Sequence, residues 1–353
     1  MKKYLFLLFI MLLCLSGCGK KNVYDVIGDF SKKVEDCKSY KLTGTMEISS
    51  GEELFVYSIE SNYLKDNYYK VKLINETNNH EQIILKNTDG LYVVTPSLNK
   101  SFKFDSIWPD NSSQAYLLHN LVKDLKNDND VSLESNDDGY IVKAKVSYPN
   151  NEELVYEKLY FDKSNNLIKV LVFNNDDIAK IVVTIKDINY KAKLSEEDFK
   201  LEGLINNSSD ANSSSKGALN KDSSTCDENS CETDTTSSID TIVYPLYIPE
   251  NTHLSNADTV MTDDGGRFIL SFTGDKNFVI VEETASIYDD FEVIPVFGDP
   301  VIINESVGVI SNNSITWADN NICYYLVSSD MQANEMINVA KSLTGTRTVM
   351  SIK

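Results

Sequence analysis

The sequence predicts an α+β fold: a strongly curved antiparallel sheet (a half-barrel) covered by helices, followed by a second, smaller α+β domain. Three observations lead there. Apolar and polar residues alternate in short runs over most of residues 39–189, the pattern of strands with one buried face. Two segments of 3.6-residue periodicity, 23–37 and 113–125, sit among those runs and predict amphipathic helices that lay their apolar stripe on the sheet. Residues 206–240 are almost wholly Ser, Asn, Asp and Thr; such a stretch buries too little to offset its ordering entropy, and it divides the chain.

The chain begins with Lys2 and Lys3, an apolar run over 4–15, and then Leu15-Ser16-Gly17-Cys18. This is secretory-signal architecture, too short for a comfortable membrane span. It resembles a bacterial lipobox, in which cleavage leaves the cysteine at the new N-terminus carrying lipid groups such as palmitate. The expected divisions are a signal peptide at 1–17, a first domain at 18–205, a disordered linker at 206–242 and an acidic domain at 243–353. A linker of that length predicts independently mobile domains. Two acyl chains on Cys18 would anchor the protein stably at the extracytoplasmic face of the cell membrane.

In the first domain, the helix at 23–37 is marked by Val23, Val26, Ile27, Phe30 and Val34. Strands follow at 39–49, 53–63, 67–74, 81–86, 90–95 and 101–105, separated by turn clusters such as 75–80 and 87–90. The second helix, at 113–125, carries Ala115, Leu117, Leu118, Leu121, Val122 and Leu125, with His119 on its polar side. Further strands are expected at 139–148, 152–161, 167–173 and 178–189, two of them joined by a turn at 162–166. Ser195 with Asp198 has the spacing of a capping box before Phe199.

The run Asp89-Gly90-Leu91-Tyr92-Val93-Val94-Thr95-Pro96-Ser97-Leu98-Asn99-Lys100 resembles the strand–proline–turn–strand signature of the LolA/LolB lipoprotein-carrier superfamily. Tyr160-Phe161-Asp162, Leu167-Ile168-Lys169-Val170 and Leu194-Ser195-Glu196-Glu197-Asp198-Phe199 are similar to its tail. Ser101-Phe102-Lys103-Phe104, Trp108-Pro109 and Asn111-Ser112-Ser113 are most like the clostridial germination-lipoprotein branch. The resemblance covers about residues 22–204 and implies a concave face that holds acyl chains of a lipid or lipoprotein. Phe55, Tyr57, Tyr63, Tyr69, Phe102 and Phe104 are the aromatic residues expected to line it. Arginine-dependent gating, a property of the soluble carrier, does not carry over, because the first arginine of this chain is Arg267.

In residues 243–353, strands are expected at 244–248, 267–274, 277–284, 291–297, 306–311, 314–318 and 321–328. A helix is expected at 331–343, capped by Asp330 or Ser329. This part resembles a Firmicute lipoprotein domain of unknown function.

The net charge of −20 argues against nucleic acid, which needs clustered Lys and Arg. Of the six cysteines, Cys14 leaves with the signal, Cys226 and Cys231 could close a small disulfide loop, and Cys37 with Cys323 are expected buried or unpaired. No Cys/His spacing suits a metal, no catalytic motif occurs, and no cofactor is expected. Asp263-Asp264-Gly265-Gly266 has the composition of a tight turn, and Glu282, Glu283, Asp289 and Asp290 are expected to be solvated charges. These features predict a non-enzymatic, membrane-anchored lipoprotein binding a lipid, a lipoprotein or a protein partner. The alternatives are a scaffold that licenses a cell-wall (cortex or peptidoglycan) enzyme and a two-domain envelope-stress regulator.

Overall fold

The computed structural model describes residues 22–50, 53–202, 204, 242–262, 265–285, 291–319 and 322–343. Cys18, Cys226, Cys231, Asp263, Asp264, Asp289 and Asp290 lie outside them. Helix α1 (Val23–Glu35) opens the described chain. Asn22 accepts the N–H of Asp25 and Asp25 accepts that of Asn22, both at 3.0 Å, which satisfies two of the donors a helix start leaves open. Val26, Ile27, Phe30 and Val34 form its buried face, and Phe30 meets Phe161 edge-on at 5.3 Å.

Eleven strands follow, β1 (Ser39–Ser50), β2 (Glu53–Leu64), β3 (Tyr68–Asn75), β4 (Glu81–Asn87), β5 (Gly90–Thr95), β6 (Lys100–Asp105), β7 (Ser132–Ser135), β8 (Gly139–Lys145), β9 (Leu154–Asp162), β10 (Leu167–Asn174) and β11 (Ala179–Asn189). They pair as two antiparallel meanders joined where β11 returns beside β1, in the order β6-β5-β4-β3-β2-β1-β11-β10-β9-β8-β7. The register of β1 on β11 slips at Thr43/Gly44, and a Cβ on Gly44 would meet the Thr184 carbonyl oxygen at 2.2 Å. Such a bulge bends and twists the sheet where the half-barrel curves.

Helix α2 (Leu118–Asn127) starts five residues after the expected 113. The Ser113 N–H donates to the Ser147 carbonyl and the Ser147 N–H to Ser113 Oγ, at 2.8 and 2.9 Å, so the chain before the helix is held as a loop. Leu117 offers no capping atom, and the Tyr40 hydroxyl accepts the Leu118 N–H instead at 3.2 Å. Past β11, Ser195 and Asp198 form the expected capping box, and Phe199 is buried among Tyr68, Leu85 and Tyr92.

The second half contributes β12 (Thr252–Thr262), β13 (Gly265–Gly274), β14 (Phe278–Thr284), β15 (Glu292–Phe297), β16 (Asp299–Ile303), β17 (Ser306–Ile310), β18 (Ser314–Asp319), β19 (Ile322–Val327) and helix α3 (Ala333–Lys341). Seven strands form a sheet in the order β12-β13-β14-β19-β18-β17-β16. Helix α3 packs Met336, Ile337, Val339 and Ala340 into the same core as Phe272, Phe278, Trp317 and Tyr324. It is shorter than expected, and its cap is Gln332 with Glu335 rather than Asp330 or Ser329. Asp330 is committed elsewhere, accepting the N–H and Nδ2 of Asn277 at 3.0 and 2.7 Å. No strand forms at 244–248, because Pro245 and Pro249 bring no N–H to a ladder.

Strand β15 leaves this sheet and runs parallel to β6, as the twelfth strand of the large one. Val307 and Val309 of β17 enter the core formed by Met46, Ile84 and Trp108. The Tyr57 hydroxyl donates to the Asn304 carbonyl, Asn78 Nδ2 to Glu305 Oε2 at 2.6 Å, and the Val307 N–H to Gln82 Oε1. The expectation of independently mobile domains is therefore corrected: the two halves share a sheet and an apolar core.

Candidate functional site

Where β16, β17 and α3 come over the large sheet, a cavity of about 200 Å³ remains. Met46 and Ile48 reach it from the inward face of β1, Ile84 from β4, and Trp108, Leu154 and Val307 complete a buried apolar floor. The mouth is polar and half-exposed. Asn150 and Asn151 come from the loop between β8 and β9, Lys180 from the start of β11, and Asn338 and Lys341 from the last turns of α3. The side chains of Asn150, Asn151, Asn338 and Lys341 make no hydrogen bond or ion pair with another described residue.

Burial pushes the Lys341 ammonium below its ordinary range; Glu153 opposes this shift and Lys180 adds to it. Two acids act on Tyr148 of the cavity lining: Glu157, which is buried, and Asp124, which is half-buried. Glu157 on β9 is 0% exposed, and neither carboxylate oxygen has a hydrogen-bond partner. Burial, then Asp124, raises its pKa well above the carboxylate range. Burial also lifts Asp124 to about 6, against the pull of Ser113 and Lys123. Tyr148, which lines the cavity, has its hydroxyl raised by burial and by these two acids. Among the described residues, no group of three His, Cys, Asp or Glu side chains could hold a metal ion. The arrangement can bind an apolar group and order an anion beside it.

The aromatic residues expected to face a ligand are placed elsewhere. Phe55, Tyr57, Tyr63, Tyr69 and Phe104 are buried in the large core, and Phe102 packs half-buried against it. None lines the cavity; Phe104 borders a separate cleft with Phe297. Tyr63 is enclosed by Tyr40 at 5.3 Å, Tyr69 at 5.2 Å and His119 at 4.1 Å between ring centroids. His119 is accordingly no solvated residue, and burial lowers its pKa to about 4. Glu282 and Glu283 do point to opposite faces, but only Glu283 is on the outside, bonded to Arg267 at 2.7 Å. Glu282 is fully buried, accepts the Val243 N–H at 3.0 Å, and is raised to about 7 by burial. Cys37 and Cys323 are both free.

Sequence reasoning does not single out Lys180 or Lys341, and it names Trp108 only as part of a family resemblance, not as a site residue. One signal was available: Lys341 stands four residues after Ile337, on the apolar side of α3.

No protein-family model matches the chain. It is 31% identical over 338 residues to the sporulation protein YdcC of Bacillus subtilis (strain 168), covering 95% of this chain and 94% of that one. Among solved structures it is similar to the MucA/MucB complex of Pseudomonas aeruginosa (12% identity, 90% of this chain and 96% of that chain, TM-score 0.32). It is also similar to the complex of the CwlD amidase with the GerS lipoprotein from Clostridioides difficile (16%, 50% and 99%, TM-score 0.30). A third likeness is to the LolA superfamily protein NE2245 from Nitrosomonas europaea (11%, 52% and 99%, TM-score 0.31). Likenesses this distant assign no role to any residue. The sequence match, spanning nearly the whole of both chains, is decisive: this chain belongs to the family of the sporulation protein YdcC.

Proposed function

We propose that this chain is a non-enzymatic lipoprotein, anchored through Cys18 at the extracytoplasmic face of the cell membrane. It holds an apolar group of a lipid, lipoprotein or protein partner in the cavity between its halves. The observation that supports binding is the cavity itself, with an apolar floor and unpartnered polar groups at its mouth. The anchor rests on the segment from Lys2 to Cys18; no described helix is long and apolar enough to cross a membrane. The relative's name places its work in sporulation, and we extend that setting to this chain. Native mass spectrometry of the full chain, extracted from its own membranes, tests the binding function. A retained mass beyond that of the lipidated chain is expected, and a bare chain in every preparation contradicts it.

A second function, a scaffold that licenses a cell-wall enzyme or an envelope-stress regulator, is favoured by β12. His253 through Met261 are all exposed along this sheet edge, including Leu254, Val260 and Met261. An exposed edge strand is a template for another chain. Charged substitutions at Val260 and Met261 that release a co-purifying protein would support it, and unaltered co-purification would oppose it.

A further inference from the structure

The cavity between the halves combines three kinds of group, each of which restricts what fits. Its volume, about 200 Å³, is room for roughly six or seven water-sized groups, the size of one large apolar side chain. The side-chain amides of Asn150, Asn151 and Asn338 stand at the mouth with donors and acceptors unspent inside the protein. Peptide groups answer both kinds of atom, and a hydrocarbon chain answers neither.

Two cations, Lys180 and Lys341, complete the mouth. Residues 243–353 hold only five basic residues against fifteen acids, and one of the five is set half-buried beside this apolar floor. Keeping an ammonium there without a hydrogen-bonded carboxylate is costly, and an arriving anion would relieve that cost. Glu153, the acid nearest to Lys341 in effect, is exposed at the rim.

We propose that the cavity takes the carboxyl-terminal residue of a polypeptide: its apolar side chain on the floor, its last peptide group at the asparagine amides, its carboxylate between Lys180 and Lys341. This rests on the binding function proposed above and names the partner's chemistry. An internal apolar residue lacks the carboxylate, and an internal Asp or Glu lacks the apolar body. The chain terminus supplies all three elements within one residue.

Trp108 is a built-in reporter. The other tryptophan, Trp317, lies in the second core stacked on Tyr324 at 4.9 Å. The test uses the full chain carrying Trp317→Phe, in uncharged nanodiscs, titrated with Gly-Gly-Ser-(4-bromo)phenylalanine, whose bromine quenches an indole on contact. The free acid is expected to quench Trp108 emission, with the carboxamide of the same peptide at least about tenfold weaker. Lys341→Met and Lys180→Gln should each weaken the acid about tenfold and leave the amide unchanged. Calorimetric titration of the unsubstituted chain repeats the comparison should Trp317→Phe disturb the second core. Equal binding of acid and amide overturns the proposal. Quenching by 11-bromoundecanoate without quenching by the peptide also overturns it, while leaving the general binding function intact. No binding of either probe removes both.

Discussion

The hydroxyl of Tyr57, on β2 of the large sheet, donates to the main-chain carbonyl of Asn304 in the turn between β16 and β17. The two residues are 247 positions apart, so this contact exists only when both halves are assembled. With the Asn78–Glu305 and Gln82–Val307 bonds it pins the β16–β17 hairpin over the concave face and so forms one wall of the cavity. Tyr57→Phe leaves a buried carbonyl without that donor and should cost about 1–2 kcal/mol. Urea unfolding should show a lower midpoint at an unchanged slope. An unchanged midpoint would mean that the contact contributes nothing to holding the halves together.

The pairing of β15 with β6 gives a second prediction. The Glu292 N–H donates to the Asn99 carbonyl at 2.9 Å, and the two-residue period turns the N–H groups of Ile294 and Val296 the same way. Positions 293, 295 and 297 then face away from β6, which is why Pro295 is tolerated there. Ile294→Pro should break the ladder and raise amide exchange in residues 100–105 at least about tenfold, whereas Phe297→Pro, at a residue 79% exposed, should not. Equal exchange in the two variants would contradict this register.

Glu282 should make stability depend on pH. Its ordinary value of 4.5 is raised to about 7 by burial, so between those values the folded chain keeps a proton that the unfolded chain has lost. Its contribution to stability therefore falls as pH rises from about 4.5 to 7 and is level above that. Glu282→Gln keeps an acceptor for the Val243 N–H and removes the titration. The melting temperature of the variant relative to the unsubstituted chain should be higher at pH 8 than at pH 5. A difference that does not change with pH would show that Glu282 is not held protonated.

Cys18→Ala removes the sulfur that would carry the lipid and should move the protein from the membrane pellet to the soluble fraction. Undiminished pelleting after a high-salt wash would exclude lipidation of Cys18 as the main attachment.

Much of the architecture was legible because it follows from period and turn chemistry. The alternation in β1 to β6, the apolar stripe of α1 and the Ser195/Asp198 box are local patterns, and each forms where local physics puts it. What escaped is non-local. Strand β12 reads Thr-His-Leu-Ser-Asn-Ala-Asp-Thr-Val-Met-Thr and lies exposed at an edge, so no buried face imposed an alternation on it. Strand β15 was visible as a strand, but nothing in Glu-Val-Ile-Pro-Val-Phe states which sheet it joins. The site suffers from the same gap. Aromatic residues such as Tyr63 and Tyr69 are inward-facing, yet α2 and the second half cover that face and turn them into core. Lys180 and Lys341 are 161 positions apart and become a pair only through the assembly of the halves.

If both halves together build a binding cavity, filling that cavity should abolish binding. Val301→Trp, at a half-buried lining position on β16, should occupy the space without removing a core contact of the large sheet. The measurement is the mass retained by the full chain in native mass spectrometry, compared between unsubstituted protein and Val301→Trp from the same membranes. The predicted result is a bound mass on the first and none on the second, with melting temperatures within a few degrees. Equal retention by both would contradict the claim that the cavity between the halves is where this protein binds.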